Sequence, residues 1–361
     1  MTSVLEMSDS GIGFGGFLLG VGGGYYLFQY VDFSFDIISY LLILMGVGII
    51  LGSVLSKGGK SPLSDVFGGV IGGLFLAVFL TQGFGLIGDF SNQWDDIDSP
   101  IYRATDTVSL DAPLDADALI LTVENVNGGI GVSPWNGDSV ELELEIRAKG
   151  DTDAEAERNL DDFEYNLQDT TTGGTQELSL TFPISNTNWN LYTVVVTVKV
   201  PEGVETELVL DSTNGKIIVS DLVLTGIDVE TTNGFITLND VESPTIYVDA
   251  SNGGIFGTIT SSETRLSTTN GVINIELTAQ SGEHNFDTTN GIIELTLPTG
   301  TDIGYSLDLE NTIGNIDVNL PNMDYSVDRT RNKIGETEGF SSKDIQIIIN
   351  ADTTIGAIEV N

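Results

Sequence analysis

The sequence contains no cysteine, one histidine, and 13 lysine and arginine residues among 361. Without cysteine there are no disulfides, no thiolate-ligated zinc or haem and no cysteine nucleophile. The lone histidine, His284, excludes a multi-histidine metal site within one chain. Scarce, unclustered bases exclude nucleic acid as a partner, because phosphate recognition needs grouped lysine and arginine. The chain also lacks a phosphate-cradling Gly-Lys-Ser/Thr loop, a dinucleotide fingerprint and any Asn-x-Ser/Thr sequon.

The chain is rich in acid: 53 aspartates and glutamates give a net charge of -40. They are unevenly spread. Residues 1–90 hold six acids and two lysines. Three uncharged apolar stretches, 11–30, 37–56 and 66–88, fill that segment, each near the ~20 residues that cross a bilayer as helix. They predict a three-helix transmembrane domain over 1–90. No lysine or arginine precedes the first stretch, which argues against a cleaved signal peptide. Gly16-Gly20-Gly24 and Gly69-Gly73 have the spacing of tight helix packing, within the chain or in a homo-oligomer. Lys57 and Lys60 lie between the second and third stretches, whereas Asp32 and Asp36 lie between the first and second. The positive loop stays cytoplasmic, so the expected N-terminus is inside and residues 91–361 are extracellular.

A polar linker is expected over 91–113. From 114 to 361 valine, isoleucine, leucine and threonine alternate between glycine- and asparagine-containing breaks, which is strand patterning. One helix is expected, over 153–167.

The repeats are internal. Gly128, Gly215, Gly234, Gly253, Gly271, Gly291, Gly314 and Gly356 are each followed two residues later by isoleucine. Four residues on stands an aliphatic side chain, except for Gly257, expected as a small filler of an inward face. From Gly215 to Gly291 the spacing stays near 19 residues, the signature of a stacked β repeat. The predicted fold is therefore mainly β: a β-solenoid, β-helix-like, with rungs of about 19 residues. Asparagine precedes the glycine at Asn127, Asn214, Asn233, Asn252, Asn270 and Asn290. Asn-Gly turns a sharp corner, and corners stacked at ~4.8 Å would let the side-chain amides bond up the stack. Gly253 is expected at positive φ. Ile358 is expected on a terminal rung, where truncation costs little. A calcium-binding roll is excluded, since neither the period nor the aspartates match its nine-residue repeat.

"LILTVENVNGGIGVSPWNGDSVELELEIRAKG" (119–150), "VTVKVPEG" (196–203) and the Asn-Gly rungs together resemble the DUF4097 family of adhesin-like proteins. The resemblance covers roughly 115–361. It implies a solenoid-like β domain and a surface role, and it supplies no catalytic residues. The apolar N-terminus resembles, in hydropathy, the membrane part of phage-shock and LiaF-type envelope-stress regulators.

An excursion of strand-like runs at about 135–205 separates the first rung from the second, with antiparallel strands expected. Its Trp135, Trp189 and Tyr192 have two readings, sugar stacking or core packing. The break at 323–343 reads as a loop or end cap. His284, in "QSGEHNF", reads as a residue of a polar turn, without a partner motif. Asp95-Asp96 and Asp161-Asp162 read as solvated charge runs. No catalytic, cofactor-binding or metal-ligating residue is assigned, and no enzyme is expected. The acidity fits a halophilic protein or a surface that binds Ca²⁺ or Mg²⁺. Two functions follow: a membrane-anchored, adhesin-like or architectural surface protein binding through its repeats, or an envelope-stress sensor signalling through its glycine-rich helices. The expected partners are the lipid bilayer and an envelope polymer, glycan or protein.

Overall fold

A computed structural model describes residues 102–183 and 188–361, within the compact unit Pro100–Asn361. The three apolar stretches, Asp95-Asp96 and the linker up to residue 101 lie outside the described residues. Among the described residues no helix is long and apolar enough to cross a membrane.

In chain order the first elements are β1 (Tyr102–Pro113), β2 (Ala118–Asn127), β3 (Ile130–Trp135), β4 (Ser139–Gly150), α1 (Asp153–Asp161), β5 (Asn166–Thr172), β6 (Thr175–Thr181) and β7 (Tyr192–Pro201). The regular rungs follow as β8 (Glu205–Asn214), β9 (Ile217–Ser220), β10 (Gly226–Asn233), β11 (Ile236–Glu242), β12 (Thr245–Asn252) and β13 (Ile255–Thr260). Then come β14 (Glu263–Leu277), β15 (Gly282–Thr296), β16 (Ile303–Val318), β17 (Met323–Arg329), β18 (Asn332–Thr337) and β19 (Ile345–Val360).

Each Asn-Gly corner divides a rung into a first arm before it and a second arm after it. β14, β15, β16 and β19 run through the corner as single strands. Like arms pair in parallel: Asn214, Asn233, Asn252, Asn270 and Asn290 fall in register, as do Ile217, Ile236, Ile255, Ile273 and Ile293. Alternation then sends one face of each arm inward. The isoleucine two residues past the corner is fully buried in β9, β11, β13, β14, β15 and β19, and both arms share one apolar core. Burying each such side chain stabilises by about 1.5–3 kcal/mol. The domain is a mainly β, solenoid-like stack, as the repeat spacing predicts.

The corner asparagines form the expected ladder. Asn214 donates to Asn127, Asn233 to Asn214, Asn252 to Asn233, Asn270 to Asn252 and Asn290 to Asn270, over 2.9–3.0 Å. The glycines have a second role beside the turn. A Cβ on Gly215, Gly234, Gly253, Gly271 or Gly291 would stand 1.6–1.8 Å from the preceding corner's glycine carbonyl. Gly253 does have positive φ, 152°. Gly257 stands in the inward column between Leu238 and Ile275, but it is only half-buried with φ 144°, and a Cβ there would stand 1.8 Å from the Leu238 carbonyl. Inside the corner, Ser212, Thr231 and Thr268 hydroxyls donate to rung carbonyls. Asn125 and Asn311 amides do the same toward the two ends.

Spatial order departs from sequence order. In the first-arm sheet the order is β5–β6–β2–β8–β10–β12–β14–β15–β19–β16–β18–β17. The second-arm sheet runs β1–β4–β7–β3–β9–β11–β13–β14–β15–β19–β16. The last strand in sequence, β19, is therefore inserted between β15 and β16. Ile358 is fully buried with a rung on each side, which corrects its expected terminal place.

The excursion is likewise part of the stack. β6 and β7 add parallel to β2 and β3, while β4 and β5 pair antiparallel at its outside. Residues 102–113, expected as linker, are β1, paired with β4 along all 12 residues. Their alternation lets Val108, Leu110 and Ala112 pack on the core. The helix expected over 153–167 ends at Asp161. Thr152 caps its start, accepting from the Glu155 N–H at 3.2 Å, and the Glu155 carboxylate accepts from the Asp151 N–H. Beyond its end Phe163 packs on Phe182 and Tyr192, and Leu167 pairs with Leu180 as β5 begins. The break at 323–343 is the expected end cap: the β17–β18 hairpin pairs antiparallel with the first arm of β16.

Candidate functional site

Register on the outer face of the first arms brings like side chains into columns. Four residues before each corner glycine stand Glu124, Asp211, Glu230, Asp249, Ser267, Asp287, Asp352 and Glu310, each paired with the next in the stack. Adjacent rungs lie ~4.8 Å apart, so seven carboxylates share one line. Like charges directly opposite each other are destabilising. Burial comes first among the causes that raise carboxyls in this line, and neighbouring charge adds to it at Glu230 and Asp352. Glu230 is raised from its ordinary value by burial, then by Asp228, Asp211 and Asp249. Asp352 is raised by burial, then by Glu310 and Asp287; Asp211 is raised by burial.

Two residues further from the corner the columns become mixed: Asp228, Tyr247 and Arg265 are successive partners on β10, β12 and β14. With Glu230, Asp249 and Glu263 they line an open groove of about 410 Å³. Tyr247 is 38% exposed, and its hydroxyl donates to Glu263 Oε1 at 2.8 Å. That hydrogen bond is the first cause of the raised phenol pKa. The groove thus presents an aromatic ring, a guanidinium and several carboxylate acceptors on a rigid sheet. Such a surface hydrogen-bonds hydroxyl- or amine-bearing groups and stacks on a flat apolar face. Among the described residues, no group of three or more His, Asp or Glu side chains is placed to hold a metal ion.

The residues weighed in the sequence fall elsewhere. Trp189 and Tyr192 are buried, Trp189 edge-on to Phe182 at 6.3 Å and Tyr192 donating its hydroxyl to the Asn159 carbonyl. Trp135 is half-buried, its Nε1 donating to the Ser139 carbonyl at 2.9 Å. Packing accounts for Trp189 and Tyr192, whereas the Lys199 ammonium stands over the Trp135 ring, 5.7 Å from its centroid. Asp161 and Asp162 are exposed, as expected. His284 is not in a turn: it is 2% exposed within β15, its Nδ1 3.1 Å from Thr264 Oγ1. Burial lowers its pKa to about 4. The carboxylate column went unread in the sequence, although the alignment that lines up the corners carries it as acid four residues before glycine in seven of eight repeats. Tyr247 and Arg265 carry no such signal, because they occupy their position in one rung each.

Comparison with known proteins gives one family. Residues 121–355 match the family described as Toastrack DUF4097. Among solved structures the chain is similar to a candidate cell adhesion protein from Clostridium sporogenes, at 14% identity and TM-score 0.32, covering 72% of this chain and 98% of that one. It is similar to a candidate adhesin from Bacteroides fragilis at 11% identity and TM-score 0.33, covering 71% and 97%. A third is a candidate lipid binding protein from Parabacteroides distasonis, at 14% identity and TM-score 0.29, covering 73% and 99%. No curated protein matches the chain.

Proposed function

The chain belongs to the Toastrack DUF4097 family, and on that premise we propose that it is an adhesin-like surface protein that binds an extended envelope polymer along the outer face of its first arms. Its apolar N-terminal stretches anchor it in the cell membrane. The observation that carries the reading is the groove at Tyr247 and Arg265, set beside a column of seven in-register carboxylates. A polymer of amine- or hydroxyl-bearing units lying along the stack meets a carboxylate at ~4.8 Å steps, interrupted at Ser267, and Tyr247 offers one stacking platform.

Binding of the purified chain to whole envelopes and glycan arrays tests it, with Tyr247→Ala and Glu230→Gln compared with the parent. Both substitutions lie on the outer face, so the fold is expected to persist and binding to fall at least about tenfold. Undiminished binding by both variants would remove this face from the function.

A further inference from the structure

We propose that the Asn-Gly corners are sites of spontaneous amide loss held shut by the asparagine ladder, and that Asn290-Gly291, at the ladder's open end, is the first to convert. The chemistry is internal to the chain. The Gly291 backbone nitrogen gives up its proton and attacks Asn290 Cγ. The Cγ–Nδ2 bond breaks, and the nitrogen leaves as ammonia with the proton. Water then opens the resulting five-membered succinimide at either carbonyl, giving aspartate or isoaspartate. No oxidant or reductant takes part. Glycine offers the attack no side-chain hindrance, so the corner residues Asn127, Asn214, Asn233, Asn252, Asn270 and Asn290 are intrinsically alike, as is Asn136 of Asn136-Gly137, which is exposed in the bend between β3 and β4, outside the ladder.

In the stack the asparagine side chains are engaged along the ladder, and at four corners the glycine nitrogen is engaged as well. Corner amides donate across the rungs: Gly128 to the Asn214 carbonyl, Gly215 to Asn233, Gly234 to Asn252 and Gly253 to Asn270, at 2.8–3.0 Å. Each interior asparagine side chain gives one ladder bond and receives one. To react, the side chain must swing toward its own backbone and break both kinds of bond. The folded rate is then the intrinsic rate scaled by the population of the locally opened corner.

The two ends of the ladder differ. Asn127 accepts from Asn214 and donates to the Trp189 carbonyl at 2.6 Å, so it is held on both sides. Asn290 donates to Asn270 at 3.0 Å, but its partner on the other side is Ile355, which has no amide. Conversion at Asn290 removes the donor on which Asn270 Oδ1 depends and adds a charge to the strand carrying Asp287. Isoaspartate also lengthens the backbone by one methylene at residue 290, directly before Gly291, where the stack is so close that a Cβ would stand 1.6 Å from the Gly271 carbonyl. Asn270 then becomes the member held on one side, and loss proceeds rung by rung toward Asn127.

Time-resolved peptide mapping of the full chain at mildly alkaline pH, folded and in guanidinium, tests this. In denaturant the six corner sites and Asn136 should convert at comparable rates. Among the corners of the folded chain Asn290 should convert first, with the other five at least about tenfold slower than in denaturant, while the exposed Asn136 outside the ladder serves as the unprotected control. Ile355→Asn lengthens the ladder by one rung and makes a further Asn-Gly step at 355–356. Ile355 is 48% exposed, so the core is untouched. This variant should protect Asn290 and move the first conversion to position 355. Equal rates at all six sites in the folded chain, earlier conversion at an interior corner, or an unchanged Asn290 rate in Ile355→Asn would each overturn the proposal. So would an unmodified Asn290 when the denatured control is complete.

Discussion

A Cβ at Gly271 would stand 1.6 Å from the Gly253 carbonyl oxygen, and one at Gly253 would stand 1.6 Å from that of Gly234. Only Gly253 of this pair has φ in the left-handed region, at 152°. If close approach sets the requirement, Gly271→Ala and Gly253→Ala should each cost about 3 kcal/mol or more in denaturant melts. A loss near 1 kcal/mol for Gly271→Ala beside a large one for Gly253→Ala would make the dihedral angle the cause instead. His284 poses a different question at the same scale. Its pKa falls from 6.5 to about 4 because burial disfavours the imidazolium. The unfolded chain therefore binds a proton that the folded chain refuses between those values. The stabilisation is complete above pH 6.5, declines as pH falls and is gone near pH 4, a change of up to about 3 kcal/mol. Raised carboxyls such as Glu230 act in the opposite sense, since protonation relieves them. His284→Ile matches the Ile246 and Ile349 of its own column. The variant should lose that part of the slope of stability between pH 6.5 and 4.5, and an unchanged slope would place His284 outside the acid response.

Rungs differ in worth by what lies on either side of them. Ile255→Ala, between β11 and β14, should cost about 2–5 kcal/mol, as a core cavity does. Ile358→Ala should cost the same, because β19 sits between β15 and β16. Ile316→Ala, on the β16 arm that ends the second-arm sheet, should cost less. Urea melts of the three variants rank them, and a mild Ile358→Ala would contradict the β15–β19–β16 order. This order marks where the sequence stops being legible. The Asn-Gly-x-Ile spacing shows which residues turn the corner, which point inward and that the asparagines stack. Every rung carries the same signature, so any rung can follow any other, and the pattern names no neighbour. β19 lies on one side of the first arm of β16 and the β17–β18 hairpin on the other, an arrangement that no spacing in the sequence announces. Antiparallel additions such as β1 and β5 lack the corner altogether, so no repeat signal marks β1 as a strand. At the candidate site, the repeated acid position was legible and passed unread. The Tyr247–Arg265 juxtaposition was not, since it depends on register between two particular rungs.

For the whole chain, anchoring and charge are separate questions. The Lys57 and Lys60 loop predicts that the β stack faces outward. Cysteine at Ser342, which is exposed, should react with an impermeant thiol reagent on intact cells, whereas cysteine at Ser56 should not; the reverse pattern inverts the topology. The net charge of -40 bears on stability through the carboxylate column. Neighbouring charges there lie ~4.8 Å apart. The Debye length is about 10 Å at 0.1 M salt and about 3 Å at 1 M, so repulsion along the column persists at ordinary ionic strength and is screened only toward molar salt. Tm should therefore rise steadily with KCl up to the molar range. Glu230→Gln, which removes one charge between Asp211 and Asp249, should raise Tm in low salt, and the gain should vanish at high salt. Its size should be about 0.2–1 kcal/mol, the scale of one cross-strand pair. A specific cation site behaves otherwise: a step in Tm at low CaCl₂ at constant ionic strength, followed by a plateau. Such a step, abolished by Glu230→Gln, would show that the column serves as a ligand set and that its acidity answers to a bound cation rather than to brine.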